Sequence, residues 1–191
     1  DYYYVQLYLL DETRGLLYLK SATGFQGQKM LIRGHQVEMG QGLVGQAAVS
    51  KEIVLAPDVT QNPHWLSNPL LPETKSEAAV PIVSRDVTLG VLDIQHSVVD
   101  GISQEEVILL RSISDQVAIA LSNARLFERI QQQANNEALL NRVTQRIQLA
   151  DSVEQVLQVA AQELGKALNA EYTTVYLGKQ KQHMNGHDKV G

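Results

Sequence analysis

The 191-residue chain contains no cysteine. Disulfide bonds, thiolate zinc sites, a cysteine nucleophile and the thioether attachment of a chromophore are therefore excluded. Long apolar runs are also missing, because no stretch approaches the ~18 consecutive apolar residues that a membrane-spanning helix requires. No signal peptide is recognisable, and we expect this stretch of chain to make no membrane contact.

An excess of one charge sign is absent too. The chain has 16 lysines and arginines against 21 acidic residues, and its net charge of −5 is spread over interspersed acids and bases. This balance argues against nucleic acid or an anionic membrane surface as the main partner. Hydrophobic residues make up 44% of the chain, which is enough for a sizeable core.

Recognisable catalytic and metal-binding patterns are missing as well. Three histidines are scattered along the chain: His35, His64 and His96. No set of nucleophile, histidine and acid stands out, and the H-x-x-x-H pattern of a metal-binding helix is absent before the tail. His183 and His187 lie four residues apart, but Gly186 and the polar tail around them disfavour a helix. We therefore expect no metal site and no enzymatic activity.

Two β-rich runs flank a polar turn within residues 77–96, E-A-A-V-P-I-V-S-R-D-V-T-L-G-V-L-D-I-Q-H. Apolar residues alternate on both sides of the turn at 84–86, which predicts a half-buried β-hairpin. Gly90 in the returning run indicates a bulge or a close backbone approach. Another hairpin is predicted from strands at 2–10 and 16–21, with an irregular stretch at 22–28 and a further strand at 30–37.

Three glycines stand in the run G-Q-G-L-V-G at residues 40–45. A phosphate-binding loop is excluded because its lysine and hydroxyl residue are missing. The run instead predicts the start of a short helix, at 43–50, that packs close to the sheet.

The runs S-E-A-A-V-P-I and R-D-V-T-L-G-V-L-D-I-Q resemble the central hairpin of GAF domains in bacterial signal-transduction proteins. The resemblance includes G-Q-G-L-V-G-Q-A-A-V-S upstream and N-A-R-L-F-E downstream, and covers roughly the first two thirds of the chain. It implies a PAS-like α+β fold of three α/β/α layers, with a central, mostly antiparallel sheet flanked by helices and a long C-terminal helix. It also implies a cytoplasmic location and a tandem array of such modules.

A short repeat supports the tandem arrangement. Y-V-Q-L-Y-L at residues 4–9 and Y-T-T-V-Y-L at 172–177 place tyrosines, an aliphatic residue and leucine at the same positions. The second copy follows an amphipathic run at 151–168 that resembles the N-terminal helix of a GAF domain. We therefore expect a GAF domain without its N-terminal helix at 1–127, a helical linker at 128–150, and the first helix and strand of a following GAF domain at 151–191. The orphaned helix at 152–168 is expected to dock where the missing helix would lie, in the same chain or by swapping into a partner.

Residues 59–76 form the most loop-like segment, with three prolines and the only tryptophan of the chain. In GAF domains the equivalent region covers the ligand pocket. The resemblance therefore implies a small-molecule site lined by Val44, His64, Trp65, Glu77, Asp93 and Gln95. The alternative is that Trp65, Leu70 and Leu71 fill the pocket themselves.

The resemblance implies a sensory or regulatory module of a cytoplasmic signalling protein, such as a histidine kinase, in which the state of the pocket biases the arrangement of helices in a dimer. The predicted helix at 103–130 carries two apolar stripes, one for the sheet and one for a partner helix, so a homodimer through this helix is expected. The alternative is a ligand-free dimerisation or protein-interaction module with a filled pocket.

The sequence lacks the residues that define three known GAF subtypes. It therefore does not identify the ligand or cofactor. Bilin-carrying relatives attach their chromophore to a cysteine, and free-methionine-sulfoxide reductases use cysteines, neither of which this chain has. Cyclic-nucleotide-binding relatives carry a dispersed N-K…F…D-E pattern, which is not found here in the right order.

Overall fold

The computed structural model describes residues 2–167 and residue 174. The chain divides into two compact units, Asp1–Phe127 and Glu128–Gly191. The predicted strand at 172–177 and the histidines of the tail, His183 and His187, lie outside the described residues. The predicted domain boundaries and the docking of the helix at 152–168 stay predictions.

A six-stranded antiparallel sheet forms the centre of the first unit. Its strands lie in the order β3-β2-β1-β6-β5-β4, and every neighbouring pair is antiparallel. The strands are β1 (Tyr4–Asp11), β2 (Leu16–Ala22), β3 (Gln36–Glu38), β4 (Val54–Ala56), β5 (Ser76–Ser84) and β6 (Val87–His96). The predicted α+β fold with an antiparallel sheet is thus confirmed.

The described residues form four α-helices: α1 (Gly24–Ile32), α2 (Gly42–Ser50), α3 (Gln104–Gln148) and α4 (Val153–Ala167). A short 3₁₀ turn, Val59–Gln61, interrupts the long loop. Helix α1 corrects the sequence-based expectation of an irregular stretch at 22–28 and a strand at 30–37. Its buried residues, Gly27 and Met30, are three positions apart and therefore lie on one helix face. In the sequence, the glycines and the short apolar run hide this helical spacing.

Strands β5 and β6 form the hairpin that the alternation at 77–96 predicts, but β5 is buried on both faces rather than half buried. Glu77 pairs with Gln95 and Ala79 with Asp93, and the register shifts between Ile82 and Val83. Gly90 lies against β1, where a Cβ atom would collide with the carbonyl oxygen of Tyr8. The close backbone approach predicted for Gly90 is therefore present, and a side chain at this position would separate β6 from β1.

The core lies on both faces of the sheet, which gives the predicted α/β/α layers. On one face, α1, α2 and the long loop cover a cluster that includes Tyr8, Leu17, Met30, Leu43 and Leu71. On the other face, α3 covers two clusters that include Val80, Ile82, Ile94, Leu110 and Ala118. Strand β5 is buried on both of its faces, which explains its nearly continuous apolar sequence.

Helix α3 begins with a capping box. Ser103 donates from its backbone N–H and its hydroxyl to Oε2 of Glu106, both at 2.8 Å, and the N–H of Glu106 donates to the Ser103 hydroxyl at 3.2 Å. This reciprocal pair satisfies donors that the first helical turn leaves without an acceptor. The helix then continues for 45 residues.

None of the helices described in the structure has the length and apolarity that crossing a membrane would require.

Many apolar side chains of α3 are exposed. Between residues 108 and 130 they are Ile108, Leu109, Ile113, Ile119, Leu126, Phe127 and Ile130. The stripe of α3 that faces the sheet is buried at Leu110 and Ala118. Of the two apolar stripes that the sequence predicts, the sheet therefore covers one and leaves the other exposed. The homodimer expected through the uncovered face stays a prediction.

The second unit contains the end of α3 and helix α4. The guanidinium of Arg146 on α3 pairs with the Glu163 carboxylate and donates to Oε1 of Gln162 at 3.2 Å. Ser152 caps α4, because its hydroxyl accepts the N–H of Gln155 at 3.2 Å.

Candidate functional site

A cavity of about 250 Å³ lies on the face of the sheet that α1 and α2 cover. Its floor is formed by side chains of β1, β5 and β6, and its walls by residues 35–37, the first turn of α2, and residues 66–69 of the long loop. Polar groups from three central strands therefore converge in a recess bordered by apolar side chains, the usual arrangement of a small-molecule site.

The structure brings four of the six predicted site residues to this cavity: Val44, Glu77, Asp93 and Gln95. Trp65 stands behind them, half-buried, and its indole N–H donates to Oε2 of Glu77 at 3.0 Å. His64 is exposed and does not line the cavity. The loop turns at Asn62, whose side chain accepts the backbone N–H of His64, and this turn leaves the imidazole outside.

The loop fills the space beside the cavity rather than the cavity itself. Leu71 is 2% exposed in the core, and Trp65 and Leu70 pack against the same cluster. Leu66 is 55% exposed and borders the cavity together with Asn68 and Pro69. Trp65, Leu70 and Leu71 therefore fill the core next to the cavity, as the alternative predicts. They do not fill the cavity itself, which remains an open recess.

Two cavity residues on β1, Gln6 and Tyr8, are missing from the sequence-based set. They face the same side as Tyr4, because successive residues of a strand alternate between its faces. The signal was available in Y-V-Q-L-Y-L, where Gln6 is a polar residue at an inward position. Gln6 is 2% exposed, and a buried amide requires partners, which indicates a polar site nearby.

Asp93 is the hub of a buried hydrogen-bond network. Its Oδ2 accepts the side-chain amides of Gln6 at 3.1 Å and of Gln95 at 2.8 Å. The Tyr8 hydroxyl donates to Oε1 of Gln6 at 2.6 Å, and the Thr74 hydroxyl donates to Oε1 of Gln95 at 2.6 Å. Both amides are thus held with their N–H groups toward Asp93, which favours the ionised form of that carboxyl. Oδ1 of Asp93 is buried and has no such donor.

Glu77 and Asp93 form a carboxyl pair in the floor of the cavity. The two residues are 6% and 1% exposed, and neither takes part in an ion pair with a basic group of the described residues. Burial raises the pKa of Asp93 to about 6, against the amide hydrogen bond from Gln95, which lowers it. Burial and the adjacent Asp93 carboxyl raise the pKa of Glu77 well above its usual value. Because Asp93 receives the two amide hydrogens, its ionised form is favoured, and Glu77 is the carboxyl of the pair that more readily keeps a proton.

Two other titratable side chains border the pair. Burial and the neighbouring carboxyls raise the pKa of the Tyr8 hydroxyl, which therefore stays protonated and donates. Burial lowers the pKa of His35, so its imidazole is neutral at pH 7. Neither group supplies a positive charge to the carboxyl pair.

The first turn of α2 forms one wall of the cavity, lined by Gly42, Leu43 and Val44. The preceding residue, Gln41, makes no side-chain cap, and the first N–H groups of a helix have no acceptor within the helix. Gly42 has φ +63°, and a Cβ atom there would lie 3.4 Å from Leu66, so glycine allows both this helix start and the approach of the loop. The cavity thus has an acidic floor and, at α2, the positive end of a helix dipole.

Within the part of the chain that the structure describes, no cluster of three or more histidine or acidic side chains is arranged to hold a metal ion. Glu77 and Asp93 are two carboxyls whose remaining neighbours are amides, hydroxyls and an indole. These groups recognise hydrogen-bond donors and positive charge on an organic ligand.

Comparison with known proteins gives a consistent family. Residues 4–122 match the family model described as GAF domain. The chain is 42% identical over 71 residues to the free methionine-R-sulfoxide reductase of Saccharomyces cerevisiae, which covers 37% of each protein. It is 30% identical over 116 residues to the hybrid signal transduction histidine kinase G of Dictyostelium discoideum, covering 60% of this chain and 3% of the kinase.

Among solved structures, the chain is similar to the type II free methionine-R-sulfoxide reductase of Thermoplasma acidophilum. The TM-score is 0.53 at 30% identity, over 61% of this chain and 77% of the reductase. The chain thus spans most of this archaeal protein but only 37% of the yeast reductase and a small part of the histidine kinase.

The expectation that the chain has no enzymatic activity is wrong on these comparisons, because two of the similar proteins are named as reductases, which are enzymes. The expectation rested on the absence of a nucleophile set, a metal motif and cysteine. It treated Glu77 and Asp93 only as ligand contacts, because they are sixteen positions apart in sequence and come together as a carboxyl pair only through the pairing of β5 with β6. A buried carboxyl that retains its proton at neutral pH can act as a proton donor, a function that no linear motif reveals.

Proposed function

Because the chain belongs to the GAF domain family, we propose that it is a ligand-binding regulatory module of a cytoplasmic signalling protein and that its ligand is a free α-amino acid. The observation that carries this proposal is the polarity of the cavity, whose lining includes both the carboxyls of Glu77 and Asp93 and the uncapped start of α2. An amino acid is a zwitterion, with an ammonium and a carboxylate on one carbon, and matches both ends.

The ammonium group fits the carboxyl pair. It carries three hydrogens, and Oδ1 of Asp93 is a buried acceptor without a donor. Glu77 supplies further acceptor capacity beyond the indole hydrogen bond at its Oε2. A ligand ammonium there would also give the buried carboxyls the positive partner that the described residues lack.

The carboxylate group fits the start of α2. The positive end of a helix dipole and N–H groups without intrahelical acceptors attract an anion. Gly42 at this position lets a ligand approach the backbone without a side chain in between. The volume of about 250 Å³ lies below that of typical drug-sized pockets, which favours a ligand of amino-acid size.

The similar reductases make methionine sulfoxide the first amino acid to test, since their names state that they act on free methionine-R-sulfoxide. In this chain the apolar side chains of Val44, Leu66 and Pro69 border the cavity and could contact the methylenes of such a ligand. Other amino acids with unbranched side chains are the natural comparison set.

A route from the cavity to α3 supports the regulatory part of the proposal. Gln95 lines the cavity, and the next residue, His96, lies edge-on to the Tyr2 ring at 6.4 Å. The Tyr2 hydroxyl donates at 3.1 Å to Glu106, the acid of the capping box of α3. A ligand that moves the end of β6 would thus change contacts at the start of α3, and with them the helix arrangement in the proposed homodimer.

The raised pKa of Glu77 favours a second candidate, reduction of methionine sulfoxide. Two thiols would be oxidised to a disulfide while the sulfoxide becomes a thioether and its oxygen leaves as water. The chain has no cysteine, so both thiols would come from an external dithiol. Glu77 would supply a proton to the sulfoxide oxygen. Incubation with L-methionine-R-sulfoxide and dithiothreitol, with free methionine measured by chromatography, tests this activity against a protein-free control.

The binding proposal is tested by thermal unfolding in the presence of L-methionine-R-sulfoxide, its S-diastereomer, methionine and a panel of other amino acids. We expect at least one amino acid to raise the midpoint in proportion to the logarithm of its concentration. Glu77→Gln should remove most of the shift. Glu73→Gln changes an exposed glutamate of the loop that precedes β5; it is the matched control and should keep the shift. A panel without any shift would favour the ligand-free interaction module instead.

A further inference from the structure

The positions of Glu77 and Asp93 bear on how a charged ligand group enters the cavity. Glu77 and Asp93 lie on the same face of the hairpin, because Glu77 pairs with Gln95 and Asp93 is two residues before Gln95 on β6. Diagonal neighbours of this kind on adjacent strands lie close enough for long side chains to meet. The two carboxyls line one cavity and are 6% and 1% exposed, so ionisation of both without a nearby cation is strongly unfavourable.

Among the described residues, none of the side chains around the pair carries a positive charge. Strand β1 presents Tyr4 and Tyr8, the segment before β3 presents His35, and the long loop presents Trp65 and Thr74. The first turn of α2 contributes only Gly42, Leu43 and Val44, which have no titratable side chain. Two adjacent buried carboxylates without a cation are strongly unfavourable, so the empty cavity retains the proton.

We propose that a cationic ligand group occupies this cavity by exchanging with the proton shared by Glu77 and Asp93, so that ligand binding and proton release are one event. The inference rests on the proposed function, since it concerns the same site. An ammonium group between the carboxyls supplies the positive charge that permits both to ionise. The proton then leaves to solvent through the open mouth of the cavity.

Proton exchange makes the module sensitive to pH. While the empty cavity holds the proton, each rise of one pH unit lowers the cost of removing it, and the affinity for a cationic ligand increases by up to about tenfold. The gain ends once the pH exceeds the value at which the empty pair loses its proton. A signal from this module would therefore report ligand concentration and pH together.

The test is isothermal titration of the wild-type protein with L-methionine-R-sulfoxide at pH 7, in phosphate and in Tris buffer. The two buffers differ strongly in ionisation enthalpy, so a released proton makes the observed binding enthalpy depend on the buffer. We expect release of about one proton per ligand bound, a value near that of a complete exchange. Binding with the same enthalpy in both buffers would overturn the inference and leave the proposed function intact.

Two variants locate the proton. Glu77→Gln keeps a hydrogen-bonding side chain but holds no titratable proton, so any remaining binding should be independent of the buffer. His64→Gln removes an exposed imidazole outside the cavity and should release as many protons as wild type. Buffer dependence that persists in Glu77→Gln would assign the proton to another group and contradict the proposal.

A ligand-free measurement separates failure of the inference from failure of the proposed function. Carbon-13 carboxyl NMR of the empty protein should show one carboxyl that titrates well above the usual range of glutamate and is lost in Glu77→Gln. If no amino acid binds, the proposed function fails, and this titration still decides whether the cavity holds the proton. Two carboxyls already ionised at neutral pH would overturn the inference even if a ligand binds.

Discussion

The indole N–H of Trp65 donates a hydrogen bond of 3.0 Å to Oε2 of Glu77, and this bond joins the long loop to the buried carboxyl pair. Thr74 makes a second connection from the same loop to Gln95. The loop that borders the cavity is therefore held by the residues that would contact a ligand. A ligand that changes the charge of Glu77 would also change the strength of its bond to Trp65.

Substitution Trp65→Phe should destabilise the protein through this bond. It keeps an aromatic ring against the core but leaves Glu77 without its indole donor, which costs about 1–2 kcal/mol in the free energy of unfolding, besides the smaller ring. The pKa of Glu77 should rise further, because the indole hydrogen bond lowers it. Urea unfolding at neutral pH measures the stability, and carboxyl NMR measures the pKa. An unchanged pKa of Glu77 would show that the bond does not form in solution.

The carboxyl pair should make stability depend on pH in a recognisable direction. The pKa of Glu77 is raised in the folded protein, so its contribution to stability is complete below its usual value of 4.5 and is lost as the pH rises through the folded value. Asp93 behaves in the same way between its usual value of 3.8 and about 6.

The comparison of wild type with Glu77→Gln isolates this effect from carboxyls elsewhere. As the pH rises above 4.5, the wild type should lose stability relative to the variant, by at most about 1.4 kcal/mol per pH unit for each ionising group. Urea unfolding at a series of pH values measures the difference. A difference that stays constant from pH 4.5 to 8 would contradict the raised pKa of Glu77.

Much of the sheet follows from local patterns in the sequence. The hairpin of β5 and β6 shows as alternation around a polar turn, and the capping box at Ser103 and Glu106 follows from residue spacing alone. Helix α1 was missed because Gly24 and Gly27 lie inside a nine-residue helix whose stability comes from packing against the sheet. Local propensity does not record such tertiary contacts.

The residues of the site could be predicted from the sequence only where they lie on a single structural element. Glu77, Asp93 and Gln95 belong to a hairpin that the sequence reveals, and inward positions follow from its alternation. Gln6 contacts Asp93 across 87 residues of chain, and only the pairing of β1 with β6 brings them together. His64 lies outside the cavity because the turn at Asn62 sets the path of the loop.

Substitution Ser103→Ala should destabilise the start of α3. It removes the hydroxyl that accepts the N–H of Glu106, and loss of an N-cap costs about 1 kcal/mol. Ser112→Ala is the matched control, since the Ser112 hydroxyl only donates to the carbonyl of Ile108 within the same helix and is exposed. Thermal unfolding of both variants measures the effect. Equal midpoints for the two variants would show that the capping box contributes little.

The uncovered face of α3 should mediate the proposed homodimer. Ile113 is 43% exposed on that face, and a glutamate there would place charge in an apolar helix contact. We expect wild type to be a dimer and Ile113→Glu a monomer by light scattering coupled to size-exclusion chromatography. Arg111→Gln, which removes an exposed ion pair with Glu52, should stay dimeric. A monomeric wild type would remove the dimer from the account.

The central claim is that the cavity recognises both charged ends of a free amino acid, and isothermal titration with modified ligands tests it most directly. L-methionine-R-sulfoxide is compared with its N-acetyl derivative, which lacks the ammonium, and its methyl ester, which lacks the carboxylate. We expect the free amino acid to bind and each modification to reduce the affinity by at least about tenfold, the loss of one charged contact. Equal affinities for the free and N-acetylated ligands would contradict recognition by Glu77 and Asp93.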